Sequence, residues 1–338
     1  MRTRIELAAI RRERYEIKGE FAISRGSKRA AEIVVAELAA SLPDGRTVRG
    51  RGECVPYGRY GETIEGVMAA IKAMAVPIAG GMDRLSLQRA MPAGAGRNAL
   101  DCAFWDLEAK TAGQPAWRLA GLVTPPRRIA TAFTLSLGTP ESMGAAARLA
   151  AEMPLLKLKL GGGDGDDVRR VAEVRRNAPN ARLIVDVNEG WTIGQLIEFA
   201  PRLAALDVAL IEQPLPAADD AALAGLVFHV PLGADESCHD ASSLAALAGR
   251  YRCVNIKLDK TGGLTEALAM KAAAKAAGFG VMIGCMVSTS LSMAPAFLLA
   301  DGADFVDLDG PLLLETDRQP GIVYDGAWLH PPPASLWG

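Results

Sequence analysis

The sequence predicts an α/β protein: a modified (β/α)7β barrel preceded by a smaller α+β capping domain. Three observations carry this. From residue 129 onward, β-rich runs alternate with alanine-rich helical runs. Their period is roughly 25 residues, that of parallel α/β units. Three of the β-rich runs end in a carboxylate, and barrels place functional groups at strand C-termini. A doubly wound sheet would want a glycine-rich phosphate loop after its first strand. Leu137-Gly138-Thr139-Pro140 stands there and is not one.

The elements follow in order. Residues 1–124 form the capping domain, with a strand over 31–39 and helices over 62–79 and 96–112. The basic residues Arg2, Arg4, Arg11, Arg12 and Arg14 are interrupted by apolar and acidic ones and read as a solvated face. Pro125-Pro126-Arg127-Arg128 reads as a linker. The barrel spans 125–310. Its strands are expected at 129–137, 155–160, 182–187, 209–213, 230–234, 253–258, 280–284 and 305–308, with seven helices between them. The clearest helices are 141–152, 166–177, 193–205 and 265–277. Residues 311–338, Pro-rich and without a further β/α unit, pack back on the capping domain.

Composition excludes several classes. The 338 residues are 50% hydrophobic and 22% charged, with a formal net charge of -2. No long basic run suggests nucleic acid or a membrane surface as partner. No run of 18 apolar residues suggests a membrane span. The N-terminus lacks the apolar core and cleavage site of a signal peptide. Five scattered cysteines (Cys54, Cys102, Cys238, Cys253, Cys285) point to reduced thiols and a cytoplasmic location. The helical outer faces of the barrel could pair into a homo-oligomer, although no single apolar stripe stands out.

The chemistry sits at the strand ends. Asp186, Glu212 and Asp235 each follow an apolar run, 26 and 23 residues apart, one β/α unit each. The three acids are expected at equivalent heights on adjacent strands. One acid there could be a helix N-cap, but three converging carboxylates repel unless a divalent cation neutralises them. All-oxygen ligation suits Mg²⁺. Lys157 and Lys159, two apart, share the barrel-interior side of the second strand. Lys257 points inward on the sixth strand, while Lys260 lies in the loop before Gly262-Gly263. Strands two and six face one another across an eight-stranded barrel. Two bases on opposite faces of one carbon are what a 1,1-proton transfer needs, with the metal stabilising the enolate between the steps.

The ordered set Lys157-Leu-Lys159, Asp186-Val-Asn188, Glu212-Gln-Pro214, Asp235-Glu236-Ser237 and Asn255-Ile-Lys257 resembles the muconate-lactonizing subgroup of the enolase superfamily. The resemblance covers nearly the whole chain. Lys bases with Mg²⁺ are a known pattern of that superfamily. It implies that Asp186, Glu212 and Asp235 bind Mg²⁺, and that Lys159 and Lys257 are the acid/base pair with Lys157 supporting Lys159. A His base at the seventh strand, as in mandelate-racemase-like sites, is absent: the histidines are His229, His239 and His330.

Within the subgroup the chain is most similar to the L-Ala-D/L-Glu epimerases of murein-peptide recycling. The carrying stretches are Ile23-Ser24-Arg25-Gly26-Ser27, Gly52-Glu53-Cys54-Val55-Pro56-Tyr57, Arg97-Asn98-Ala99-Leu100-Asp101-Cys102, Lys257-Leu258-Asp259-Lys260-Thr261-Gly262-Gly263 and Asp307-Leu308-Asp309-Gly310. The expected partner is a small-molecule dipeptide. Asp307 and Asp309 would accept from its ammonium group, and Arg25 would pair with its γ-carboxylate. Thr134 points to the same mouth, and Cys285 and Met286 would line the wall. An N-acylamino-acid racemase, an o-succinylbenzoate synthase, a muconate cycloisomerase or an epimerase of other dipeptides stands as the alternative. A non-catalytic barrel would show damage to the lysines or the acids, and all five are intact.

Overall fold

The computed structural model describes residues 4–338, so Arg2 lies outside the described residues. The chain opens with an antiparallel sheet of β1 (Arg4–Ile23), β2 (Gly26–Ser41) and β3 (Thr47–Cys54), in that order. On β1, Arg11 pairs with Glu37, Arg12 with Glu32, and Arg14 with Glu16. The basic cluster is thus a solvated strand face, whose exposed pairs contribute about 0–1 kcal/mol each. The buried strand β2 alternates in two directions. Val34, Ala36 and Leu38 face the capping helices, and Ile33 and Val35 join the cluster shared with the barrel.

Five helices follow this sheet: α1 (Ile64–Ala73), α2 (Ala75–Ala79), α3 (Arg84–Ala90), α4 (Ala95–Ala112) and α5 (Ala116–Leu119). The expected single helix over 62–79 is two, breaking at Met74. Helix α4 lies directly on β3. A Cβ at Gly52 would come within 2.1 Å of the Ala99 carbonyl oxygen, so only glycine permits that approach.

Eight parallel strands follow: β5 (Phe133–Leu135), β6 (Leu155–Lys159), β7 (Arg182–Asp186), β8 (Val208–Glu212), β9 (Leu232–Ala234), β10 (Cys253–Ile256), β11 (Gly280–Ile283) and β12 (Phe305–Val306). Each pairs with its sequence neighbour. The Ala132 amide donates to the Val306 carbonyl at 2.8 Å, which brings the two ends of the sheet together as a barrel. The first predicted strand, 129–137, is in fact two pieces. The segment β4 (Ile129–Ala130) leaves the barrel and pairs with a C-terminal hairpin, β13 (Tyr324–Asp325) and β14 (Trp328–Leu329).

The connecting helices are α6 (Pro140–Leu149), α7 (Asp167–Asn177), α8 (Ile193–Ala205), α9 (Leu244–Leu247), α10 (Leu258–Thr261), α11 (Leu264–Ala276) and α12 (Ser290–Phe297). Local chemistry starts them. Thr139 accepts from the Ser142 amide ahead of Pro140, and Thr192 with Gln195 forms a capping box. The expectation of seven full helices is corrected at two crossovers. Between β8 and β9 there is only a 3-10 turn, Asp220–Leu223, and between β9 and β10 only a 3-10 turn and α9. Pro214, Pro216 and Gly225 (φ +79°) punctuate the first of these.

The last residues run back over both parts. Leu314 bridges to Ile17, Arg318 pairs with Glu13 and Glu53, and Trp337 Nε1 donates to the Cys102 carbonyl at 2.9 Å. Among the described residues no helix is long and apolar enough to cross a membrane. All five cysteines are unpaired.

Candidate active site

The barrel interior is built in layers. Ala132, Leu155, Ile184, Leu210, Cys253, Met282 and Phe305 form one apolar cluster, the floor. Successive strand residues alternate between faces, so the next inward positions are Thr134, Lys157, Asp186, Glu212, Asn255 and Asp307. One step higher come Lys159, Lys257 and Asp309. The pleat alone therefore converts a dry floor into a polar mouth.

Pairing register fixes the heights. Lys159 lies opposite Asp186, and Asp186 opposite Glu212. Glu212 lies opposite Gly233, so Asp235 stands two residues further along and past the end of β9. The expectation of equal heights holds for two acids and is corrected for the third. Carboxylate oxygens of Asp186, Glu212 and Asp235 nevertheless all fall within 4.8 Å of one another.

Four buried lysines meet these acids. Lys157 Nζ is 2.8 Å from an oxygen of Asp307, 2.8 Å from Glu212 Oε2 and 3.2 Å from Asp186 Oδ2. The Glu212 contact is an ion pair whose angles do not make a hydrogen bond, which leaves Oε2 without a hydrogen-bond donor. Lys159 Nζ is 2.5 Å from Asp186 Oδ2, and Lys257 Nζ is 2.6 Å from Asp235 Oδ2. The two lysines thus touch opposite ends of the acid row, Lys159 from β6 and Lys257 from the residue just past β10, four strands away. Lys260 is a correction. It lies not in a loop but on the one-turn helix α10, is buried, and donates to the carbonyls of Asp235 (2.6 Å) and Asn255 (2.9 Å) as well as to the Asp235 carboxylate.

Burial and neighbours set the protonation states. Burial, with Asp186 beside it, pushes Glu212 up to about 7 against the pull of Lys157. Burial would raise Asp186 as well, but Lys159 and Lys157 outweigh it and hold that group at about 2. Burial would lower Lys257, and Asp235 more than reverses that, so its pKa is raised well above the usual lysine range. Asp309 is pushed up to about 7 by burial and by Asp307. Asp309 accepts from the Thr134 amide at 2.7 Å.

The donor set fits a hard divalent cation. Three carboxylates converge, and buried oxygens of Asn188, Glu212, Glu236, Asn255 and Asp307 lack any hydrogen-bond partner. Asn255 Nδ2 donates to the other Glu212 oxygen at 2.6 Å, which aims the carboxylate.

Above the acids opens a cavity of about 740 Å³. Thr134, Lys157, Lys159, Asp235, Lys257, Cys285, Met286, Asp307 and Asp309 line it, as does Arg25. Arg25 comes from the turn between β1 and β2 and closes over the mouth. It donates to the Asn188 carbonyl (2.6 Å), Glu189 (3.1 Å), the Tyr57 hydroxyl (3.0 Å) and Glu236 (2.7 Å). Sequence reasoning missed Asn255, Glu189 and Glu236 as neighbours of the site. Asn255 was legible, since it shares the inward parity of Lys257. Glu236 was not, because β9 ends at Ala234 and alternation stops there.

A barrel with this acid row, flanked by inward lysines and capped by an N-terminal sheet, defines a class, and the comparisons agree. Residues 5–121 match the N-terminal domain of the mandelate racemase/muconate lactonizing enzymes, and residues 142–317 match the enolase C-terminal domain-like family. The chain belongs to this branch of the enolase superfamily and is an isomerase of the epimerase and racemase kind. It is 45% identical to the L-Ala-D/L-Glu epimerase of Escherichia coli (strain K12) over 321 residues, 94% of this chain and 97% of that one. It is 44% identical to an N-acetyl-D-glutamate racemase of a Pseudoalteromonas species, over 86% of this chain and 91% of the relative. An enolase family member from Agrobacterium tumefaciens with homology to dipeptide epimerases, solved with sodium and L-Ala-L-Glu, is 49% identical over 100% of both chains, at a TM-score of 0.93. The dipeptide epimerase of Enterococcus faecalis V583, complexed with Mg and L-Leu-L-Tyr, is 28% identical over 99% of both, at a TM-score of 0.88.

Proposed function

We propose that this protein is a Mg²⁺-dependent epimerase of dipeptides, interconverting L-Ala-D-Glu and L-Ala-L-Glu at the α-carbon of the C-terminal residue. One observation carries the reading: Lys159 and Lys257 touch opposite ends of the Asp186–Glu212–Asp235 row at the base of one cavity. The similarity to the E. coli and A. tumefaciens proteins supports the choice of dipeptide.

Asp186, Glu212 and Asp235 would hold the metal. A bound Mg²⁺ supplies Lewis-acid polarisation of the substrate carboxylate, which makes the α-proton more acidic. Lys159 and Lys257 stand on the two sides of the α-carbon. One takes its proton, and the other returns a proton from the far face, which inverts the centre. Asp235 holds Lys257 protonated, and that hold would weaken once the aspartate also served a cation. Lys157 stays charged among Asp307, Glu212 and Asp186 and lends positive charge beside Lys159. Asp307 and Asp309 receive the dipeptide's ammonium group, and Arg25 meets the acidic side chain by leaving Glu236. Thr134, Cys285 and Met286 shape the wall. The reaction fits a role in murein-peptide recycling, in a cytoplasm that keeps the five thiols reduced.

The second reading is an N-acylamino-acid racemase, favoured by the 44% identity to N-acetyl-D-glutamate racemase. The test is α-proton exchange in D₂O followed by proton NMR. L-Ala-L-Glu, L-Ala-D-Glu, L-Ala-L-Phe and N-acetyl-L-Glu are compared with Mg²⁺ present. Deuterium at the C-terminal residue's α-carbon with formation of the other epimer, for the Ala-Glu dipeptides and lost on adding EDTA, is the expected result. Turnover of N-acetyl-L-Glu alone would transfer the reaction to the second reading. Exchange of none would remove both.

A further inference from the structure

Two sequence motifs have no part in the chemistry above: Arg97-Asn98-Ala99-Leu100-Asp101 on α4, and the Leu258–Gly263 run that follows Lys257. The fold joins them. Lys257 is the residue before α10, and its carbonyl accepts from the amides of Lys260 and Thr261, both at 3.0 Å. Its backbone is therefore fixed to a single helical turn. One turn of helix is too short to hold itself, so its position comes from what grips it. On the barrel side Lys260 binds the carbonyls of Asp235 and Asn255.

On the other side the grip belongs to the capping domain. The buried Asp259 accepts, on one oxygen, from Asn98 Nδ2 at 2.8 Å and from the Val55 amide at 3.0 Å. Arg97 donates to the carbonyls of Thr261 (2.6 Å) and Gly262 (3.1 Å). Among the described residues Lys159 has no such backbone tie; the capping domain meets it only at the side chain, where its Nζ lies 5.7 Å from the centre of the Phe21 ring. Lys159 lies within β6, hydrogen-bonded to strands on both sides, and its register is set by the barrel alone. The two lysines are thus held by different parts of the chain.

We infer that Asn98 and Asp259 are positioning residues for Lys257: through them the capping domain sets where the backbone of one of the two bases stands, while strand register in the barrel sets that of the other. This rests on the two-lysine reading above. A lysine displaced by about 1 Å loses as much as a hundredfold in proton transfer. The loss must then be one-sided, which a merely structural role would not produce.

The experiment uses the full-length protein with Mg²⁺ in D₂O. It measures deuterium wash-in separately for L-Ala-L-Glu and L-Ala-D-Glu, as recovered starting epimer. Lys159→Ala and Lys257→Ala first assign each epimer to the lysine that takes its proton. Asn98→Ala and Asp259→Ala are then expected to slow the Lys257-served epimer about tenfold to a hundredfold, with the Lys159-served epimer in the wild-type range. Asp259→Asn, which keeps an accepting oxygen, restores both rates. Thr265→Val removes a different tie of the same interface, the Thr265 hydroxyl to Asp101, and leaves the ratio of the two rates unchanged. Equal slowing of both epimers by Asn98→Ala, or of neither, overturns the inference. Asn98→Ala decides alone if Asp259→Ala does not fold. Absence of exchange in the wild type would instead remove the epimerase reading, and the inference with it.

Discussion

At Glu212 two effects oppose each other, and the balance has a measurable consequence. Burial and Asp186 favour the neutral acid, Lys157 favours the carboxylate, and the group settles at about 7. A metal ligand must be ionised, so binding below pH 7 has to expel a proton. The sign follows: Mg²⁺ affinity rises as pH climbs from 6 to 8 and levels off above. Titration calorimetry in buffers of differing ionisation heat checks this through proton release, which should fall between pH 6 and pH 8 as Glu212 ionises. Asn255 donates to Glu212 at 2.6 Å and aims it. Asn255→Ala should weaken Mg²⁺ binding about 10–100-fold without unfolding the barrel. Unchanged affinity in that variant would remove the orienting role. These residues differ in how readable they were. Asp186, Glu212, Lys157, Lys159 and Lys257 followed from pleat parity and one-unit spacing. Lys260 did not, since its place depends on a one-turn helix that no sequence period announces.

Among the elements, α10 is where a small change should do most. Gly263 follows it at φ +115°, and a Cβ there would lie 2.4 Å from Asp101 Cβ. Gly263→Ala therefore meets both a backbone penalty of about 1–3 kcal/mol and a clash with α4. Denaturant titration should show a lower midpoint at unchanged slope, and a midpoint equal to wild type would contradict the proposed packing of α4 on this turn. The legibility of elements followed the same physics. Helix α8 fell at 193–205 as expected because Thr192 and Gln195 cap it and the amphipathic period is regular. The strand at 129–137 was misjudged because its first half is apolar enough for a barrel but is claimed by the C-terminal hairpin, a contact about 200 residues away in sequence that local pattern cannot express.

For the whole molecule, the division of labour is between a barrel that fixes two acids and one lysine by strand register, and a capping domain that also reaches the site. It does so through Arg25 over the mouth and through Asn98 on Asp259. The barrel and its acid row were legible because eight β-rich runs recurring about every 25 residues leave a strong period. The ties of Arg25 to Glu189 and Glu236 were not, since they join loops from opposite ends of the fold. The central claim is that two lysines act from opposite sides of one carbon. The measurement that tests it most directly is α-proton exchange by Lys159→Ala and Lys257→Ala in D₂O, with each Ala-Glu epimer in turn. Each variant should lose epimerisation by about 10²–10⁴-fold yet still exchange the α-proton of one epimer, a different one for each variant. Epimerisation at the wild-type rate by either variant, or exchange of the same epimer by both, would contradict it.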